Sequence, residues 1–538
     1  MSGDTLSAEV ELVRRRASDL AGPLSRTARL SASLSRERAI LRLIGVDGLD
    51  RDDRPLAAAV AARYCGAAPE RLAAGLLLPF AVAAVEYDMS PRDLALDVAS
   101  GTIDLGLEAE LLARPDKLEA ARRRAAGLLG AAMSRIDANR TAAREMRSVL
   151  GRPPEPQLGI ILAASEVTPA VSEIRAAVGG GAGIIEIRVP AASELAQARS
   201  RAGLAAPDRF AGSSRGRRRR GWGSGGRASP PADDPIPAGS QRGLAMLRGI
   251  TDDAAAARGR YVALVTVTSA LAAPEQAVVA AFERIDCVEA DPVREIVEEN
   301  IDPDRALADH AFAHRLLVRS GSAVLIGPGP LVLGADVASG LPSDADTRAG
   351  RALALQVLGL ELALADRIPA EALLLGTVPT WVAAEGDPMA IMVGAWLRRA
   401  VFAGHRLAVT IAPAAAGGVA PAAAIATALA GAAASLVFEQ VESAGVAAAA
   451  AELRAVSAAA AAARTGLGDG SLWGSAAVRG RRILAAAADT LDRLAGDGWE
   501  SLLGPDAGGP AGERFGRSAV VAQSYGPAAS GPLIDELL

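Results

Sequence analysis

Arg188, Ser193 and Ser269 are the side chains with the plainest chemical use in this chain. Arg188 ends one apolar run, Ser193 follows five residues later, and Ser269 ends another run. A guanidinium and two hydroxyls at neighbouring strand ends could hold a phosphate through charge-assisted and neutral hydrogen bonds. The competing role for all three is loop capping. His310 and His314 stand at i and i+4 on one helical face, the spacing of two metal ligands. Neither an intervening acidic residue nor a third ligand accompanies them, so we read them as ordinary surface or core histidines and expect no metal site. His405, which precedes a strand-like run, is also read as structural. The glycines of Gly179-Gly-Gly-Ala-Gly183 precede a strand. A phosphate cradle needs them after one, so a helix C-cap and turn is the role assigned.

Of the 57 basic residues in 538, only Lys117 is a lysine, so any lysine-dependent step must use Lys117 or another chain. The formal charge of −5 argues against a whole-chain nucleic-acid binder. The arginine run at 215–220 beside Trp222 is read as a solvated loop rather than a nucleic-acid patch. Cys65 and Cys287 are too few for a disulfide framework or a cysteine-rich metal site. The opening MSGDTLSAEVELVRRR is polar and charged, unlike a secretory leader. The apolar stretch 411–436 is broken by Pro413, Pro421 and glycines, and alanine is a weak span former. A soluble cytoplasmic protein is the expectation.

The elements that must position these residues change character along the chain. Residues 1–150 read as a helical region. One helix opens at Ser35 and stops at Gly45; another opens at Ser90-Pro91 and stops at Gly101; 116–147 is Ala/Arg-rich and amphipathic. From 151 to 450 short apolar runs alternate with helical stretches, at 159–164, 183–188, 261–268, 285–289, 323–326, 372–375, 407–411 and 435–439. Eight such units are what an (α/β)8 TIM-type barrel needs, with a doubly wound sheet as the competing architecture. A barrel places its functional side chains just after its strands, here Arg188, Ser193, Ser269, Asp291, Gly327, Thr377 and Glu439. The insert at 206–240 has too little apolar surface to fold alone and is expected to be disordered. Residues 451–538 read as a helical C-terminal extension with an extended tail from Gly504.

Several stretches together resemble the α subunits of the adenosylcobalamin- and pyridoxal-phosphate-dependent lysine 5,6-aminomutases. ERAILRLIGVDGLD at 37–50 is similar to that family's E-R-A-x-x-R-L-x-G-[IV]-D-G. SPRDLALDVASGTIDL at 90–105 and ANRTAAREM at 138–146 resemble its helical lead-in. The stretch 159–193 resembles its barrel opening, and 261–275 its third strand and serine loop. SAVVAQSY and the closing PLIDELL resemble its C-terminus. The likeness runs from about residue 10 to the end and is thinnest across 290–450.

The resemblance implies a radical 1,2-amino shift on a basic amino acid, with pyridoxal 5'-phosphate and adenosylcobalamin shared with a partner. That β subunit carries the cobalamin-binding domain, the Schiff-base lysine and the cobalt-ligating histidine. Arg188, Ser193 and Ser269 match positions where the family contacts pyridoxal phosphate. The chain also departs from the family. Arg294 and Glu299 stand where it has a tyrosine and a phosphate-binding arginine, and a carboxylate at 299 would repel phosphate. Gly327-Pro-Gly-Pro330 replaces an acidic turn, and the arginine-rich insert replaces a glycine-rich loop. The alternative function is a catalytically inactive homologue, a scaffold or regulator of a cobalamin-binding partner.

Overall fold

The computed structural model describes residues 6–51, 54–65, 69–151, 157–163, 167–188, 241–268, 271–298, 301–327, 344–377, 388–411, 434–438, 446–447, 471–502, 520–522 and 529–538, with isolated positions at 153, 155, 451, 455 and 458. Ser193, Ser269, Glu299, 328–330, Glu439 and the 206–240 insert lie outside these residues.

The N-terminal region follows the expected helices, with one local difference. The helix predicted from Ser35 is Leu34–Leu43, and its cap is Ser33, whose side chain accepts from the Arg36 amide. Ser35 is thereby free to make a tertiary contact. Just before the helix, β1 (Ser31–Ser33) pairs antiparallel with β10 (Val520–Ala522), a two-stranded ribbon that no alternation pattern announced. Three small residues are too few for a period-2 signal. Helix Pro91–Ser100 is bounded as expected, by the Ser90 cap and by Gly101 at φ 87°. A left-handed residue there ends the helix at no Cβ cost. Helix Pro115–Leu150 follows.

Eight parallel strands then close a barrel: β2 (Gln157–Ala163), β3 (Ile184–Arg188), β4 (Ala263–Val267), β5 (Cys287–Glu289), β6 (Ala323–Ile326), β7 (Leu373–Thr377), β8 (Arg406–Ile411) and β9 (Ala434–Phe438). Each pairs with the next, and β9 returns to β2 with Gln157 level with Ala434. The short, ragged fourth run of the sequence is the three-residue β5. The eighth, set in low-complexity alanine, is β9. Helix Val167–Gly180 and Gly181 at φ 118° form the turn assigned to the glycine cluster.

Alternation along the strands sorts two cores. Ile161, Ile184, Val265, Cys287 and Leu325 form a small cluster of their own, with Ala263, Ala323 and Leu374 beside it. Their parity is inward. The opposite parity, including Ile160, Leu162, Ile185, Leu264, Val288 and Val324, joins the large core under the helices. Helix Ser7–Arg29 packs outside on helices Ala345–Ala365, Pro303–Ser320 and Ser471–Asp497. The chain ends in helix Gly531–Leu537 rather than in extended backbone. No helix among the described residues is long and apolar enough to cross a membrane.

Candidate functional site at the barrel mouth

Inward parity continues from Ile184 to Glu186 and Arg188, from Cys287 to Glu289, from Leu325 to Gly327 and from Leu374 to Gly376. These positions line the C-terminal end of the barrel, where barrel folds place their sites. On one side the lining is charged. Arg188 Nε donates to Glu186 Oε1 at 2.5 Å, and its Nη2 lies 3.8 Å from Glu289 Oε2. Arg294, in the first turn after β5, reaches Glu289 at 3.4 Å and donates to the Thr268 carbonyl at 2.9 Å. At the ends of β6 and β7 the described lining is bare backbone: a Cβ on Gly376 would stand 3.3 Å from the Gly327 Cα.

Beneath this layer, Asp291 caps helix Pro292–Glu298, accepting from the Val293 amide at 2.9 Å. Glu295 Oε1 accepts from Thr268 Oγ1 at 3.2 Å and lies 3.2 Å from His310 Nε2. His314 sits one turn on, its Nδ1 2.8 Å from Asp366 Oδ2 and its Nε2 3.0 Å from the Ala290 carbonyl. Both rings are fully buried. The two histidines are therefore core residues. They brace the underside of the mouth, each through a different acidic partner. His405 is half-buried just before β8. Among the described residues no group of three or more His, Cys, Asp or Glu side chains is placed to hold a metal ion.

The electrostatics follow from burial. Burial pushes the Glu186 carboxyl up, and Arg188 pulls against it without prevailing. Burial likewise raises Asp291 to about 6, against the pull of Arg294 and His310. At Glu295 burial is overcome by His310, then by Arg294 and Thr268, which hold it below the usual range. The described mouth thus sets the carboxylates Glu186, Glu289 and Asp291 against the guanidiniums Arg188 and Arg294.

Of the residues assigned from the sequence, Arg188 reaches the mouth with 29 % of its side chain exposed. Arg294 stands beside it, joined through Glu289. Asp291 and Gly327 also lie there, as the strand-end rule expects. Glu186, Glu289, Thr268 and Glu295 were missed. The available signal was a charged residue at inward parity in IIEIR and in CVE. A phosphate ester does not fit the described residues as they stand, because both guanidiniums are already matched to buried carboxylates in surplus.

A barrel with a charged rim at its C-terminal end is the class these features define. A protein-family model, the D-lysine 5,6-aminomutase TIM-barrel domain of the alpha subunit, matches residues 5–198 and 238–414. The chain belongs to this family. The matched residues leave out 199–237, which hold the arginine run. The chain is also 24 % identical over 368 residues to the lysine 5,6-aminomutase alpha subunit of Acetoanaerobium sticklandii. That alignment spans 68 % of this chain and 63 % of the relative's length.

Proposed function

We propose that this chain is the barrel-bearing α subunit of an adenosylcobalamin- and pyridoxal 5'-phosphate-dependent aminomutase, working in the cytoplasm with a β-type partner on a basic amino acid. The observation that carries this reading is the closed eight-stranded barrel, matched by the family model and opening on a charged rim that includes Arg188. Arg188, Ser193 and Ser269 are the residues we assign to the coenzyme. We divide the chain into a helical region at 1–150, the barrel at 151–450 with its basic insert at about 206–240, and a C-terminal extension at 451–538. The coenzymes would carry the radical chemistry, and the barrel would position the substrate and exclude water. The Schiff-base lysine and the cobalt-ligating histidine are assigned to the partner. Lys117 supports this: it pairs with Glu86 at the start of helix Pro115–Leu150, in the N-terminal region.

The carboxylate surplus around Arg188 favours a second reading, a catalytically inactive homologue that scaffolds or regulates a cobalamin-binding partner. Titrating pyridoxal phosphate into the chain with its partner separates the two. Saturable binding, weakened at least tenfold by Arg188→Ala, supports the first. A charge-assisted hydrogen bond is worth roughly 1.5–3 kcal/mol, and ~1.4 kcal/mol is already tenfold. Borohydride trapping should then label the partner and leave Lys117 unlabelled. No saturable binding leaves the second reading standing.

A further inference from the structure

The end of the barrel opposite the mouth carries a cavity of its own, of about 620 Å³. Ligand pockets run roughly 300–1,000 Å³. Its walls are the last turns of helix Pro115–Leu150 and the segments that lead into β6 and β7. The helix contributes Arg140, Arg144, Arg147 and Ser148. Steps of three and four residues put these side chains on one helical face. Glu371, exposed just before β7, is the single carboxylate among the described lining residues.

The three guanidiniums are not equally engaged. Arg147 Nη2 donates to Asp286 Oδ1 at 2.5 Å. Asp286 also accepts from Arg248 at 2.8 Å, and Asp252 pairs with both Arg248 and Arg284. This inner layer therefore sets three arginines against two carboxylates and has no negative charge to spare. Arg140 uses one N–H, donating from Nη1 to the Arg319 carbonyl at 3.4 Å, where it caps helix Pro303–Ser320. Its Nε is buried with no hydrogen-bond partner. Asp137, one turn before Arg140, is taken by Arg319 at 2.9 Å. Arg144 is exposed and makes no ion pair with any described residue. Barrels use this end for stability, and Arg140 and Arg147 do brace it. Arg144 braces nothing.

We propose that this cavity is an anion site, taking a small dianion, a phosphate or a dicarboxylate, between Arg140 and Arg144. Two planar guanidiniums offer paired, charge-assisted donors to two negative oxygens, and Ser148 adds a hydroxyl one turn on from Arg144. Glu371 limits the charge the cavity accepts, which favours a dianion over a polyanion. The site stands apart from the proposed function, since its residues lie at the opposite ends of the strands from Arg188 and Glu289.

Inorganic phosphate and succinate, each titrated into the full-length chain at fixed ionic strength, test it by calorimetry and hydrogen exchange. At least one should bind saturably and slow exchange in peptides covering 140–151 and 319–323. Phosphate binding makes the ligand's anchoring group a phosphate, and succinate binding makes it a pair of carboxylates. Arg144→Gln should weaken that binding about tenfold or more, the worth of one charge-assisted hydrogen bond. It should leave the unfolding midpoint of the anion-free chain unchanged. Arg140→Gln should weaken binding as much, and Glu371→Gln should tighten it. Arg144→Gln carries the test alone if Arg140→Gln does not fold. Arg188→Ala should bind as wild type does. No saturable binding of either anion overturns the site, as does wild-type affinity in Arg144→Gln. Binding lost in Arg188→Ala would put the anion at the mouth and overturn it equally.

Discussion

The clasp between helix Leu34–Leu43 and the barrel uses the same two side-chain types as the barrel mouth, with the opposite surplus. At the clasp one carboxylate, Glu275, lies between two guanidiniums, Arg38 and Arg42. At the mouth two guanidiniums, Arg188 and Arg294, lie among Glu186, Glu289 and Asp291. Burial pushes the carboxyls of Glu275, Glu186 and Asp291 up, but the result differs. Burial at Glu275 is overcome by Arg38 and Arg42, and the group is held below the usual carboxylate range. At Glu186 and Asp291 burial prevails. A carboxylate outnumbered by guanidiniums is a fastener, stable only as the anion. One that outnumbers them gains by losing its charge or by meeting a cation.

The largest consequence lies at the clasp. Glu275→Gln leaves two buried guanidiniums facing a neutral acceptor, and breaking a buried pair on one side costs about 3–5 kcal/mol. Denaturant unfolding of the full chain should show a loss of this size. An unchanged midpoint would break the comparison, since the clasp would then not be a fastener.

The clasp was legible in the sequence only as a resemblance. E-R-A-x-x-R-L marked the stretch, but nothing in its spacing says that Arg38 and Arg42 meet a glutamate far along the chain. The barrel was legible because each strand carries its own apolar run, even β5, which keeps only Cys287–Glu289. The site was half legible. Strand ends point to Arg188, Asp291 and Gly327 by rule. Glu186 needs the parity of β3, known only once Ile184 is seen to face inward. Ser35 was misplaced for a related reason: two serines two residues apart compete for one cap, and tertiary contacts with Leu271 and Arg305 decide the outcome.

The next consequence is a difference in the sign of pH dependence. Asp291 has a raised value in the folded chain, about 6, against about 4 for an unperturbed aspartate. Between these values Asp291 binds more protons in the folded state than in the unfolded one, so its own contribution to stability rises as pH falls through about 6 and levels off near 4. Asp291→Asn keeps an acceptor for the Val293 amide and lacks this titration. It should be the more stable protein at pH 8, by up to about 3 kcal/mol, with the advantage vanishing toward pH 4. Glu275 has the opposite sign. Its contribution is present above the usual carboxylate range and is lost as pH falls below it, so wild type and Glu275→Gln should converge in acid. Unfolding curves from pH 8 to well below the usual carboxylate range sharpen the comparison for both variants, and parallel slopes would defeat it.

The smallest effect bears on the mouth directly. Glu186 is fully buried, its Oε1 is held by Arg188, and its Oε2 has no hydrogen-bond partner. Glu186→Gln keeps the side-chain shape and removes one charge from the surplus. The guanidinium of Arg188 then has less carboxylate to satisfy, and an approaching anion meets less repulsion. Titrated into the partnered chain at pH 8, pyridoxal phosphate should bind Glu186→Gln about three- to tenfold more tightly than wild type, on the order of 1 kcal/mol. Burial has already raised the wild-type Glu186 carboxyl, so lowering the pH protonates it and makes wild type resemble the variant. The gain should therefore shrink as the pH is lowered. Equal affinities at every pH would mean that the carboxylate surplus does not govern the mouth. Weaker binding by Glu186→Gln would mean that Glu186 orients Arg188 toward the anion, which reverses the role given to it here.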